Sequence, residues 1–246
     1  MDVDTIIIKR SWLTFNLPLV INAWAKSGAE GAARSAESIL QTMENKYLQG
    51  DSSLKPNTRT YTSLIDCWAK SGEPLAARKA EQILITMQAK YEQTRDNAAK
   101  PNTHTANAVM NGCAFTTKTE SKSDALSIAF RVFEWLLMQR DISPDAYSYT
   151  IMLSVCSNLL PRQDREARYS HASDLFMKCR ESGHVNDFVL RKLRHTVTQE
   201  EYLALVDYRV NSSASNLPTS WTRNARGSKS DRSKGSGSSN KWSRNK

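Results

Sequence analysis

The chain has 246 residues, of which 39% are hydrophobic, and a net charge of +9. Its mean hydropathy is −0.55, and no apolar run approaches the ~20 residues that cross a bilayer, so no membrane partner is expected. Four cysteines (Cys67, Cys113, Cys156, Cys179) and four histidines (His104, His171, His184, His195) form no CxxC pair and no metal-ligand spacing. The cysteines therefore read as small buried hydrophobes, and no metal or cofactor is expected.

Residues 1–17 form an atypical N-terminal segment. Asp2 and Asp4 and the lack of a signal-type apolar stretch make it neither a transit peptide nor a clean repeat start. An internal repeat follows. With an offset of 44, residues 20–47 lie over 64–91 with 17 identities in 28 positions. Trp24-Ala25-Lys26-Ser27-Gly28 falls on Trp68-Ala69-Lys70-Ser71-Gly72, and Ala32-Ala33-Arg34 on Ala76-Ala77-Arg78. A fixed period of this size predicts an all-α solenoid of helix-turn-helix repeats. Proline followed by a small polar residue marks the junctions, at Pro56-Asn57, Pro101-Asn102 and Pro144-Asp145, which are 45 and 43 residues apart. Proline stops one helix, and Asn or Asp caps the next.

The array spans 18–195, with repeats at 18–57, 58–102, 103–145 and 146–186. In the second repeat, Tyr61, Leu64, Ile65 and Trp68 give the i, i+3, i+4, i+7 stripe of a first helix. Gly72 suits its left-handed C-terminal position, and Pro74 is expected in the first turn of the second helix. In the third repeat a polar loop from Thr116 to Ser121 is expected to precede a helix from Ser123 to Arg140. The fourth has helices near 147–158 and 165–181. Residues 187–210 supply capping helices, one around 187–193 and one from Glu200 to Tyr208 after a Thr198–Glu201 capping box. Residues 211–246 carry eight Lys/Arg against one Asp, +7 of the total +9, with few apolar side chains. This stretch reads as a disordered basic tail. Its related pieces Trp221-Thr222-Arg223-Asn224 and Trp242-Ser243-Arg244-Asn245 could stack on bases and meet phosphates.

The Pro-Asn/Asp junctions, the polar residues early in each first helix and the Trp-Ala-Lys-Ser-Gly segments resemble the pentatricopeptide repeat (PPR) family, in a long-repeat form similar to that of diatoms and related algae. The resemblance covers 18–195 and is closest in the second repeat. It implies a right-handed α-solenoid that binds single-stranded RNA, about one base per repeat. Base reading would fall to the fifth residue of each repeat with the last: Thr62 with Asn102, Asn107 with Asp145, and Thr150 with Asn186. By the family's code these favour A, U and A. Arg59, His104 and Tyr147 stand where the family stacks bases, in place of its usual aliphatic residues. Lys26 and Lys70 stand where phosphate is met, whereas Phe115 and Asn158 occupy that place later. Pro18 breaks the code in the first repeat.

The function expected on this resemblance is an RNA-binding adaptor in organellar RNA processing, stability or translation. It would act in a mitochondrion or plastid beside other RNA-processing proteins, with no small-molecule substrate. A protein-interaction scaffold of helical repeats is the alternative, favoured by the near-neutral body. Asn102 and Asp145 would serve as N-caps in either case, at ~1 kcal/mol each, and Thr62, Asn107 and Thr150 would then be solvated polar positions. No HExxH, GxxxxGK[ST] or GxSxG is present, so an enzyme is not expected.

Overall fold

The computed structural model describes residues 17–206 and 213–225. Every regular element among them is helical. In chain order the α-helices are α1 (Leu17–Ser27), α2 (Ala32–Leu48), α3 (Thr58–Lys70), α4 (Ala76–Thr94), α5 (Thr103–Ala114), α6 (Thr119–Met138), α7 (Ala146–Leu159), α8 (Arg165–Glu181), α9 (Asp187–Thr196), α10 (Gln199–Leu205) and α11 (Thr219–Thr222). Short 3-10 turns at Ser52–Leu54 and Asn97–Ala99 lead into the first two Pro-Asn junctions.

Packing follows the repeat. Each odd-numbered helix from α1 to α9 lies against the next odd one. Each even helix from α2 to α8 packs on the odd helix before it and the odd helix after it. The odd helices are therefore enclosed from several sides, and their composition reflects this. In α7 the buried residues run almost around the helix, from Ala146 and Tyr149 through Met152, Leu153 and Val155 to Cys156. The four cysteines are free and buried, as expected.

Junction chemistry starts the odd helices. Asn57, Asn102 and Asp145 each accept the N3 backbone N–H, and the N3 side chains Thr60, Thr105 and Ser148 close reciprocal capping boxes. Asn186 caps α9 by accepting from Val189 N at 3.0 Å. Thr198 and Glu201 form the capping box foreseen for α10. Gly72 takes φ +66°, the left-handed value that ends α3.

Several details differ from the sequence reading. Pro74 precedes Leu75, the N-cap of α4, so it lies outside the first turn. α6 begins at Thr119, because Glu120 in its first turn complements the helix dipole. α4 continues through Gln88 to Thr94, so much of the extra repeat length is second helix rather than loop. The second capping helix ends at Leu205; residues 207–210 lie outside the described residues. The largest difference is at the C-terminus. Residues 213–225, expected to be structureless, fold back onto the α8–α9 turn. Val185 N donates to Trp221 O at 2.8 Å, and Asn224 N donates to Gly183 O at 2.8 Å. Leu217 is buried, and Trp221 meets Phe176 edge-on with ring centroids 6.0 Å apart. These two apolar side chains supply burial within an otherwise polar stretch. Residues 1–16 and 226–246, including the Trp242 piece, lie outside the described residues.

Candidate nucleic-acid interface

Asn107 meets Asp145 directly, Thr62 reaches Asn102 through Thr105, and Thr150 shares a cleft with Asn186 without a hydrogen bond between them among the described residues. Asn107 Nδ2 donates to Asp145 Oδ1 at 3.4 Å, and Ser148 Oγ donates to Asn107 Oδ1 at 2.7 Å. In the repeat before, Thr62 Oγ1 lies 3.0 Å from Thr105 Oγ1, which donates to Asn102 Oδ1 at 3.0 Å. Thr62 and Asn107 thus touch the capping box of the following repeat. This also explains why Thr62 and Asn107 are only 5% and 3% exposed, rather than open to solvent on one face. The next odd helix begins over them. Thr150 is half-buried and donates to Ala146 O at 2.8 Å.

The junction residues remain accessible. Asp145 is exposed, and its Oδ1 accepts from Ser148 N and Asn107 Nδ2 and lies 3.0 Å from Ser148 Oγ. Its Oδ2 makes no hydrogen bond among the described residues. Asn102 is exposed and Asn186 half-buried; both use Oδ1 for capping and leave Nδ2 without a protein acceptor. Asp145 therefore presents an acceptor, and the two asparagines present donors.

Arg59, His104 and Tyr147 all stand two residues past a cap and are exposed. Phe188 occupies the same place after Asn186 and is 57% exposed. The sequence reading stopped its repeats at Asn186 and missed Phe188, although the cap spacing points to it. Tyr147, Thr150, Asn186 and Phe188 line one cleft of ≈ 910 Å³, together with Asp145 and Arg223. Arg191 lies over the Phe188 ring, 4.9 Å from its centroid.

The phosphate candidates separate. Lys26 is exposed. Lys70 Nζ donates to Ala25 O at 3.0 Å, capping the end of α1. Asn158, one of the two departures from lysine, does the same for α5, with Nδ2 donating to Ala114 O at 2.9 Å. Beside Lys70 and His104 lies Asp66. Burial holds its carboxyl above the usual range, and the charges of those two residues oppose the shift. Asp66 is an acid that the sequence reading did not place on this face. Trp221 and Arg223 are also engaged: Arg180 lies over the Trp221 ring, and Arg223 Nη2 donates to Glu181 O at 3.0 Å. Trp221 therefore serves protein packing rather than presenting a free stacking face.

No helix among the described residues is long and apolar enough to cross a membrane. No family model matches this chain, and no curated protein and no solved structure is similar to it.

Proposed function

We propose that this chain is a sequence-selective single-stranded RNA-binding adaptor of the pentatricopeptide-repeat kind. It would form a right-handed α-solenoid that reads about one base per repeat. Its RNA would be organellar, in a mitochondrion or plastid, and the outcome would be processing, stabilisation or translation of a transcript with other RNA-processing proteins.

The observation that carries this reading is the paired junction. At the second and third repeats a buried fifth-position side chain, Thr62 or Asn107, contacts the next capping box, and the exposed cap residue, Asn102 or Asp145, keeps one group for a ligand. Asp145 Oδ2 suits the N3–H donor of uracil. The Nδ2 groups of Asn102 and Asn186 suit the N1 acceptor of adenine. Exposed planar side chains at Arg59, His104, Tyr147 and Phe188 flank these groups at the repeat spacing, as base stacking requires. The preferred triplet is A-U-A.

Fluorescence anisotropy of the full chain at ~150 mM salt, with a short single-stranded RNA containing A-U-A and one containing C-C-C, tests this. The reading predicts tighter binding to A-U-A and loss of the preference in Asn107→Ala. Equal binding of both RNAs would refute base reading.

One feature favours the alternative, a protein-interaction scaffold. An apolar groove of ≈ 360 Å³ between α4 and α6 is lined by Leu84, Ile85, Val132 and Trp135. Ile85 is 52% exposed there. RNA binding that is absent from the full chain would leave this groove as the better-supported surface.

A further inference from the structure

Most repeat-to-repeat cations in this chain are already engaged. Arg34 pairs with Glu73, Lys79 with Glu37, Lys90 with Glu44, Arg78 with Asp124, Arg131 with Glu81 and Lys100 with Asp141. A cluster of cations outside these pairs lies at the far end of the third and fourth repeats, where α5 turns into α6 and α7 into α8. A cleft of ≈ 890 Å³ opens between these two turns. Lys122, Arg162 and Arg168 line it, beside Thr116, Asn158 and the 64% exposed ring of Phe115. No carboxylate lines it.

The three cations make no ion pair among the described residues. Lys122 Nζ and Arg168 Nη2 rest on the backbone carbonyls of Asn158 and Leu160, at 3.3 and 2.7 Å. Arg168 Nε is buried and has no hydrogen-bond partner. A guanidinium N–H in that state wants an acceptor. Arg162 and Arg168 also line the adjoining cleft with Arg165 and His195. The carboxylate there, Glu201, is committed to capping α10 by accepting from Thr198 N at 2.7 Å. The first cleft therefore presents three cations and no lining acid, at the very repeats where Phe115 and Asn158 replace the lysine expected to meet phosphate.

We infer that this cleft is a phosphate-binding site, in which Lys122, Arg162 and Arg168 take the backbone phosphates of the bound strand and Phe115 offers a stacking face beside them. The RNA identity of the ligand rests on the function proposed above; the affinity for phosphate groups does not. Planar guanidinium forks match phosphate oxygens in two-point contacts, and an acid-free, concave wall strengthens their field.

The test compares the full chain with Lys122→Gln/Arg162→Gln/Arg168→Gln and with Lys122→Gln/Arg162→Gln. The double variant keeps the Arg168–Leu160 contact, and circular dichroism checks helix content in both. RNA affinity is measured across a salt series, and tripolyphosphate binding is measured by calorimetry. The slope of log K against log salt should fall by about 2 in the triple variant and about 1.4 in the double, at roughly 0.7 per phosphate contact. The ratio of A-U-A to C-C-C affinity should stay unchanged, and tripolyphosphate binding should be lost. An unchanged slope together with unchanged tripolyphosphate binding overturns the assignment. If the unmodified chain binds neither RNA, base reading fails, and tripolyphosphate decides the cleft. Binding that the variants lose sustains the site; no binding by the unmodified chain removes it.

Discussion

Asn107 and Asp145 show how one residue pair can serve folding and recognition together. The Asn107 amide is buried, with one donor and one acceptor satisfied across the junction, while the second Asp145 oxygen faces outward. The pairing was implied by the resemblance to the pentatricopeptide repeat, and the period alone gave only the matched positions. Neither revealed the burial, because a period gives the face of a helix but not how far the next repeat covers it. His184 is a second residue with a testable consequence. Burial lowers its pKa, Asp145 opposes the shift, and Arg223 reinforces it. The facing groups are Asp145 and Arg223, with Ser182 Oγ 3.1 Å from Nδ1. A depressed folded pKa means that the unfolded chain binds the proton more readily. The stability from neutral His184 is therefore complete above the unfolded value of about 6.5 and is lost as pH falls through the folded value. Urea unfolding between pH 8 and pH 5 should show stability falling over that window, and His184→Gln should flatten the fall. An identical pH profile in the variant would exclude His184 as the source.

At the level of helices, α3 and α5 pack closely at Gly112. A Cβ on Gly112 would lie 2.8 Å from Ala69 Cβ and 3.2 Å from Ala69 Cα. Gly112→Ala gains up to ~1 kcal/mol of helix propensity, but it must push two packed helices apart, an overpacking cost of typically 1–3 kcal/mol. We expect net destabilisation, read as a lower urea midpoint; a raised midpoint would show that the junction yields easily. The starts of α3, α5 and α7 were the most legible elements, because Pro-Asn and Pro-Asp mark an N-cap locally, and the hydroxyl residue at N3 completes a capping box. Helix ends were less so. α4 runs to Thr94 because Gln88, Lys90 and Glu92 sit comfortably on a half-solvated face and no breaker intervenes before Arg95, whose φ is +54°. The inter-repeat ion pairs, up to 50 residues apart in sequence, could not be read from the period.

Across the whole molecule, residues 213–225 bear on one end of the helical stack. An array of neighbour contacts frays from its ends, and the α8–α9 end is covered by residues 213–225. Gly183 is part of that fit: at φ +74°, its missing Cβ leaves room for the Arg223 side chain, whose Cγ lies 2.5 Å from where a Cβ would stand. Composition pointed the other way, since Leu217 and Trp221 are isolated apolar residues in a polar stretch. Trp221→Ala should cost about 1–2 kcal/mol, below the 3–5 of a fully buried aromatic. Amide hydrogen exchange should accelerate in α8 and α9 before α3. Uniform acceleration along the chain would contradict an end clasp.

The central claim is that each junction pair reads a base, and recoding one junction tests it most directly. Asn107→Thr with Asp145→Asn gives the third repeat the pair found in the second, Thr62 with Asn102, and retains an N-cap. Anisotropy with A-U-A and A-A-A RNAs should show the unmodified chain preferring A-U-A and the recoded chain preferring A-A-A. The same preference in both, at unchanged helix content, would contradict the account.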